Sequence, residues 1–182
     1  MAEVEIKARV RDRSRLLERL NNLGCILSDP IRQEDRIYIT MGVPFSKLIK
    51  LNNPILRIRI QRNKKIFTLK MSRSDELDNI EHETEIENSD EMDAIIKYLG
   101  YVPSIVVVKS RQKGKLGDCE VCVDEVDNLG TFMEIEKIIP DTEPKDKTIE
   151  ELLKILNELG IGSSDRVLKG YDTLMYEHSL QS

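Results

Sequence analysis

Charged and apolar positions alternate along this chain in a way that predicts strands. Val4, Ile6, Ala8 and Val10 fall on one side of an extended segment, and Glu3, Glu5, Lys7 and Arg9 on the other, because successive strand side chains point to opposite faces. The pattern returns four times. Arg57 and Arg59 lie opposite Leu56, Ile58 and Ile60; Lys109 and Arg111 lie opposite Val106, Val108 and Ser110. Glu120, Cys122 and Asp124 alternate with Val121 and Val123, and Glu134 and Glu136 with Met133 and Ile135. One such row reads as the solvated face of an antiparallel sheet. Five of them predict an α+β fold, mainly antiparallel β, whose closed or strongly curved sheet points its charged rows into a polar lumen. Helices would then cover the apolar outside.

The helices follow from spacing and caps. Asp12 caps a helix with Leu16, Leu17, Leu20 and Leu23 on one face, stopped by Gly24. Ser89 opens a second, carrying Met92, Ile95, Ile96 and Leu99 and ending at Gly100. Thr148 with Glu151 forms a capping box before Leu152, Leu153, Leu156 and Leu159, which end at Gly160. A last helical stretch runs from about Asp165 to Glu177. Further strands are predicted at about 35–40, 55–62, 65–71, 81–87, 104–112, 118–125 and 131–138. Turns are placed at Asn63, across Gly114 and Gly117, and at Gly130, with a loop over 41–54 that includes a short helix from Phe45 to Leu51. A Glu-x-Glu strand, an amphipathic helix and Leu-Gly recur three times, at Glu3 to Gly24, Glu85 to Gly100 and Glu134 to Gly160. This weak repeat predicts pseudo-symmetric ββα-like units building one sheet system, and the length fits a single domain over residues 1–182 made of two pseudo-symmetric halves.

Composition narrows the function. A chain of 182 residues with 40% hydrophobic residues can bury one core, yet 34% is charged. A net charge of −5 argues against a general nucleic-acid binder. No apolar run approaches membrane-spanning length, and the charged N-terminus is unlike a signal peptide. Three cysteines, Cys25, Cys119 and Cys122, suit a reducing cytoplasm. Cys119 and Cys122 fall on opposite faces of one strand, which argues against a zinc or redox site. Arg36–Ser74 holds ten Lys/Arg and no acid, whereas Asp75–Asp93 holds ten Asp/Glu and no base; apolar residues interleave both blocks, so both read as folded.

Paired carboxylates on single strands place several oxygens on one side, the ligand type that Mg²⁺ and Mn²⁺ prefer. Glu3, Glu5, Asp124, Glu134 and Glu136 can supply such a metal site from three strands. Lys7, Arg57, Arg59, Lys70, Lys109 and Arg111 supply the complement, since Arg grips phosphate oxygens bidentately and Lys adds a point charge. The alternative is that these charges simply pair with each other. There is no Walker loop and no nucleophile elbow, so catalysis would depend on metal and charge.

These residues resemble the CYTH, or triphosphate tunnel metalloenzyme, superfamily. Glu3-Val4-Glu5-Ile6-Lys7 is similar to its ExExK signature, and the resemblance runs from Ala2 to about Tyr176. Asp35 with Tyr38, Leu56–Arg59, Phe67–Lys70 and Lys109-Ser110-Arg111 resemble its following elements. Asp124–Glu136 resembles its long acidic motif, and Lys169-Gly170-Tyr171 its C-terminal element. The resemblance implies an eight-stranded closed tunnel that binds a triphosphate with Mg²⁺ or Mn²⁺. Glu3, Glu5, Asp124, Glu134 and Glu136 map to the metal side, with Glu3, Glu5, Glu134 and Glu136 catalytic. Lys7, Arg57, Arg59, Lys70, Lys109 and Arg111 map to the phosphate side. Length and motif wording are most similar to the class IV adenylyl cyclase branch, which implies a cytoplasmic homodimer.

Two places depart from bacterial cyclases of that branch: Lys70 is followed by Met71-Ser72 instead of Gly-Pro, and no Arg stands near His82-Glu83. Four functions stay open. One is cyclisation of ATP to cyclic AMP and pyrophosphate. A second is hydrolysis of inorganic or organic triphosphates, thiamine triphosphate among them. The others are non-catalytic triphosphate binding, and RNA binding by the Arg36–Arg73 block.

Overall fold

The computed structural model describes residues 2–45, 53–72, 79–140 and 142–181. The expected short helix from Phe45 to Leu51 falls almost wholly outside these residues, as does Arg73 at the end of the basic block. The described strands are β1 Ala2–Arg9, β2 Ile31–Thr40, β3 Pro54–Gln61, β4 Lys64–Ser72, β5 Asn79–Glu85, β6 Tyr101–Leu116, β7 Cys119–Val126, β8 Gly130–Ile139 and β9 Arg166–Val167. The described helices are α1 Arg13–Asn22, α2 Ser89–Tyr98, α3 Lys145–Glu158 and α4 Tyr171–Ser179. The fold is α+β and rich in antiparallel sheet, as the alternation predicts.

The closed eight-stranded barrel is corrected. Nine strands follow one hydrogen-bonded order, β5-β4-β3-β2-β6-β7-β8-β1-β9, with two ends. Closure would need the end strands to share a ladder. Among the described residues β5 pairs with β4, and β9 pairs with β1 through Val167 opposite Lys7 and Arg166 opposite Ala8.

The chain forms two compact, interleaved units: residues 1–30, 110–126 and 130–168, and residues 31–109, 127–129 and 169–182. In the first, Val4, Ile6 and Ala8 of β1 are buried with Val121 and Val123 of β7 and Met133 and Ile135 of β8. Leu16 and Leu20 of α1 and Leu152 and Leu156 of α3 complete that core. In the second, Tyr38, Leu56 and Ile58 pack with Ile96 of α2. The apolar rows of β1, β3, β7 and β8 are therefore core rows. β6 differs: Val106, on the row opposite Lys109, is 53% exposed, whereas Val107 shares the buried row with Lys109 and Arg111.

Helix ends explain the threefold Leu-Gly. Leu23, Leu99 and Leu159 are the C-caps of α1, α2 and α3. The glycine after each lies in the left-handed region, at φ 78°, 88° and 75°. Its N–H donates back to Asn21, Lys97 or Asn157 at 2.9–3.0 Å, which satisfies a terminal carbonyl. Asp12 caps α1 as predicted, accepting from the Arg15 N–H at 3.0 Å. Two starts shift. Asn88 rather than Ser89 caps α2, accepting from Asp90 and Glu91. α3 begins at Lys145 after Pro144, so Thr148 is a buried interior residue and not the head of a capping box. The last helix starts at Tyr171 and not Asp165, because residues 163–165 form a 3₁₀ turn and 166–167 join β1 as β9. Gly114 lies within β6; a Cβ there would sit 2.8 Å from Cys25 Sγ and 2.9 Å from the Ile26 carbonyl oxygen.

Candidate active site

In the first unit the register of β1, β8 and β7 stacks the charged positions into transverse rows. Glu5 stands opposite Glu136, which stands opposite Glu120. Lys7 stands opposite Glu134, which stands opposite Cys122. Like charges placed opposite each other repel, so this sheet face needs cations. Lys7, buried, lies 3.2 Å from Glu134 and 3.4 Å from Glu5. Burial alone would lower the Lys7 pKa, but Glu134 and Glu5 hold it above its ordinary value. Arg111 of β6 donates to both oxygens of Asp124 at 2.7 and 2.5 Å, and also to Glu134. Desolvation works against its charge, yet Glu134 and Asp124 raise its pKa further.

The other carboxylates of this face crowd around Glu136. Burial, then the fields of Glu134, Glu5 and Glu3, push its carboxyl up to about 8. Oxygens of Glu3, Glu5 and Glu136 lie within 4.8 Å of one another, a spacing that can hold a metal ion. The all-oxygen donor set fits a hard divalent cation. Glu120, Cys122 and Glu136 form a second such group. There the buried Cys122 thiol bonds Glu120 at 3.8 Å, Glu120 also pairs with Lys113, and burial pushes the thiol up to about 12. All five expected metal residues thus lie in one unit, but Asp124 and Glu134 are engaged by Arg111. Glu120 is a neighbour that sequence reasoning left out, although it shares the β7 row with Asp124.

Arg57, Arg59, Lys70 and Lys109 lie in the second unit. Arg59 stands opposite Asp35 and forks onto it, Nε to Oδ1 at 2.6 Å and Nη2 to Oδ2 at 2.7 Å. Burial would raise the Asp35 pKa, but the hydrogen bonds and charge of Arg59, then Arg57 and Lys109, hold it well below the carboxylate range. One row joins Arg57, Thr68 and Glu83. Arg57 donates to Glu83 at 2.8 Å and to Thr68 Oγ1 at 3.2 Å, and Thr68 donates to Glu83 at 2.9 Å. Lys70 stands opposite Glu81, 3.5 Å away. Burial works to raise the Glu81 pKa, but Lys70 and Arg57 bring it below its usual value. Lys109 lies 4.7 Å from the Tyr171 ring centroid.

Asp35, Glu81, Glu83 and Tyr171 therefore join the expected cations. The acidic partners on β5 had a signal: Glu81, Glu83 and Glu85 alternate on a strand that can pair with basic β4. The Tyr171 contact had none, since it joins distant parts of the chain. Chemically, the first unit offers carboxylate oxygens flanked by two fixed cations. The second offers guanidinium and ammonium groups, with donors of the kind that bind phosphoryl oxygens.

A family model described as the CYTH domain matches residues 1–171. A Methanocaldococcus jannaschii protein named "Putative adenylate cyclase" is 33% identical over 173 residues, covering 94% of this chain and 97% of that one. The PH1819 protein of Pyrococcus horikoshii is similar in structure, with a TM-score of 0.82 and 30% identity over 96% of this chain and 98% of that one. HpAC1 from Hippeastrum, an adenylyl cyclase candidate described as having a dominant triphosphatase activity, shares the fold at TM-score 0.63 and 20% identity, covering 92% and 91% of the two chains. A match over nearly the whole length, on both sequence and fold, makes this chain a member of the CYTH domain family.

Proposed function

We propose that the protein is a class IV-type adenylyl cyclase, converting ATP to cyclic AMP and pyrophosphate with Mg²⁺ or Mn²⁺. The observation that carries this reading is the convergence of Glu3, Glu5 and Glu136 oxygens beside the Lys7 and Arg111 cations. The full-length relative named for that activity supports it. Glu3, Glu5 and Glu136, with Asp124 and Glu134, are the residues that would hold the cation. When bound, the cation supplies charge neutralisation and eases deprotonation of an oxygen nucleophile.

The chain's own groups do the rest. Arg57, Arg59, Lys70 and Lys109, with Lys7 and Arg111, bind phosphoryl oxygens and spread the developing charge. Positioning the ribose 3′-hydroxyl in line with the α-phosphorus is the main requirement. The 3′-oxygen then bonds the α-phosphorus, and the bond to the bridging oxygen breaks. Pyrophosphate leaves with the electron pair, and the hydroxyl proton passes to a carboxylate of the Glu3, Glu5, Glu136 group. That group shares its face with Glu134 and Asp124, which Lys7 and Arg111 hold in place.

The second reading is a triphosphatase, in which water attacks the terminal phosphorus. Two observations favour it: the carboxylates, guanidinium and ammonium groups assigned to the site are metal- and phosphate-type ligands, and HpAC1 is described as having that activity. Incubation of ATP and of tripolyphosphate with either metal decides between them. Cyclic AMP with stoichiometric pyrophosphate is the expected result. Orthophosphate with ADP, and no cyclic product, would give the assignment to the triphosphatase.

A further inference from the structure

Tyr171 is the first residue of α4, the last element of the chain, and its ring lies 4.7 Å from the Lys109 ammonium. Lys109 is 2% exposed and Tyr171 8% exposed, so the contact is shielded from water. The helix holding the ring is itself fixed at a second point. Tyr176, further along α4, stacks on Phe45 at 4.7 Å with an interplanar angle of 27°. Thr173, between the two, is buried. Gly170 provides the extended N-cap that lets α4 start at Tyr171.

A cation over an aromatic face is attracted by the ring quadrupole, more strongly where water is excluded. The ring carries no net charge, so it holds an ammonium without neutralising it. Part of the rotamer freedom that a lysine loses on meeting an anion is then lost before the anion arrives.

We propose that Tyr171 is a positioning residue for Lys109, so that the C-terminal helix contributes to triphosphate binding. The proposal rests on the functional reading above only in taking Lys109 as a phosphate-binding cation. The ring face contributes to where the ammonium stands, alongside the Asp35 carboxylate that Lys109 helps to hold charged, and the phosphate meets a cation already in place.

The test is titration calorimetry of the full chain with tripolyphosphate and Mn²⁺. Tyr171→Phe keeps the face and binds like the wild type. Tyr171→Leu removes it and weakens binding on the order of fivefold. In a Lys109→Gln background the leucine substitution costs nothing further, because both changes remove one interaction. Phenylalanines bearing one, two and three fluorines at position 171 keep the volume and drain the ring face, so affinity falls stepwise even if the leucine variant does not fold. A flat fluorine series, additive Lys109 and Tyr171 effects, or a phenylalanine variant as weak as leucine each overturns the positioning role. If the wild type binds no triphosphate at all, the functional reading falls first and this inference with it.

Discussion

Glu136 stands between Glu5 and Glu120 on the neighbouring strands, and burial, then the fields of Glu134, Glu5 and Glu3, push its carboxyl up to about 8. The sign of its effect on stability follows. Below the ordinary carboxylate range both folded and unfolded chains hold the proton. Between that range and about 8 the folded, metal-free chain keeps a proton that the unfolded chain has released. Metal-free stability therefore falls as pH rises through this window, and Glu136→Gln flattens the fall. Urea midpoints of both proteins in excess chelator, from about pH 5 to about pH 9, measure it. Parallel slopes in the two proteins would place the retained proton on another group. The charged alternation of β8 made Glu136 legible as a candidate site residue. Its place opposite Glu120 was not, because the cross-strand register is a property of the sheet.

Elements were read more accurately in kind than in their ends. Both α2 and α3 form, yet α2 starts on Asn88 and α3 starts before Thr148. Asn and Ser are similar N-caps in isolation; Ser89 is buried, so its neighbour with an exposed side chain takes the cap. Asn88→Ala removes the acceptor for the Asp90 and Glu91 N–H groups. It lowers stability by about 1 kcal/mol, with unchanged tripolyphosphate affinity. Thermal unfolding and calorimetry on the same preparation check both parts, and an unshifted melting temperature would show that another group caps α2. β6 shows a different limit. Its sixteen residues exceed the predicted 104–112, because pairing with neighbours extends a strand beyond its local propensity.

On the scale of the whole molecule, folding must bring like charges together. Glu3, Glu5 and Glu136 converge, and Lys7 and Arg111 offset part of the repulsion. A cation that binds only the folded state stabilises it by mass action, about 2.7 kcal/mol at a hundredfold excess over Kd. Melting temperature is therefore expected to rise with Mn²⁺ or Mg²⁺ and again with tripolyphosphate, and to return on chelation. No shift with metal, alone or with triphosphate, would leave these carboxylates as structural ion-pair partners only. No described helix is long and apolar enough to cross a membrane.

Side-chain alternation is local, so the sequence by itself determined which face of β1, β3, β7 and β8 forms the core. It also determined which residues, Glu3, Glu5, Lys7, Glu134 and Glu136 among them, share the charged face. The ordered motifs from ExExK to Lys169-Gly170-Tyr171 were enough to identify the family. Only the tertiary structure decided what each charge meets. Asp124 meets Arg111, Glu134 meets Arg111 and Lys7, Asp35 meets Arg59, Glu83 meets Arg57, and Glu81 meets Lys70 and Arg57. Those pairings depend on the register between neighbouring strands, which alternation within one strand does not set. The same holds for the strand order: alternation cannot count ladders, so the open nine-stranded order in place of a closed eight-stranded barrel came from pairing at the two ends. The placement of Tyr171 over Lys109 is of this kind too, since a contact between the chain's last helix and β6 leaves no periodic mark in either segment.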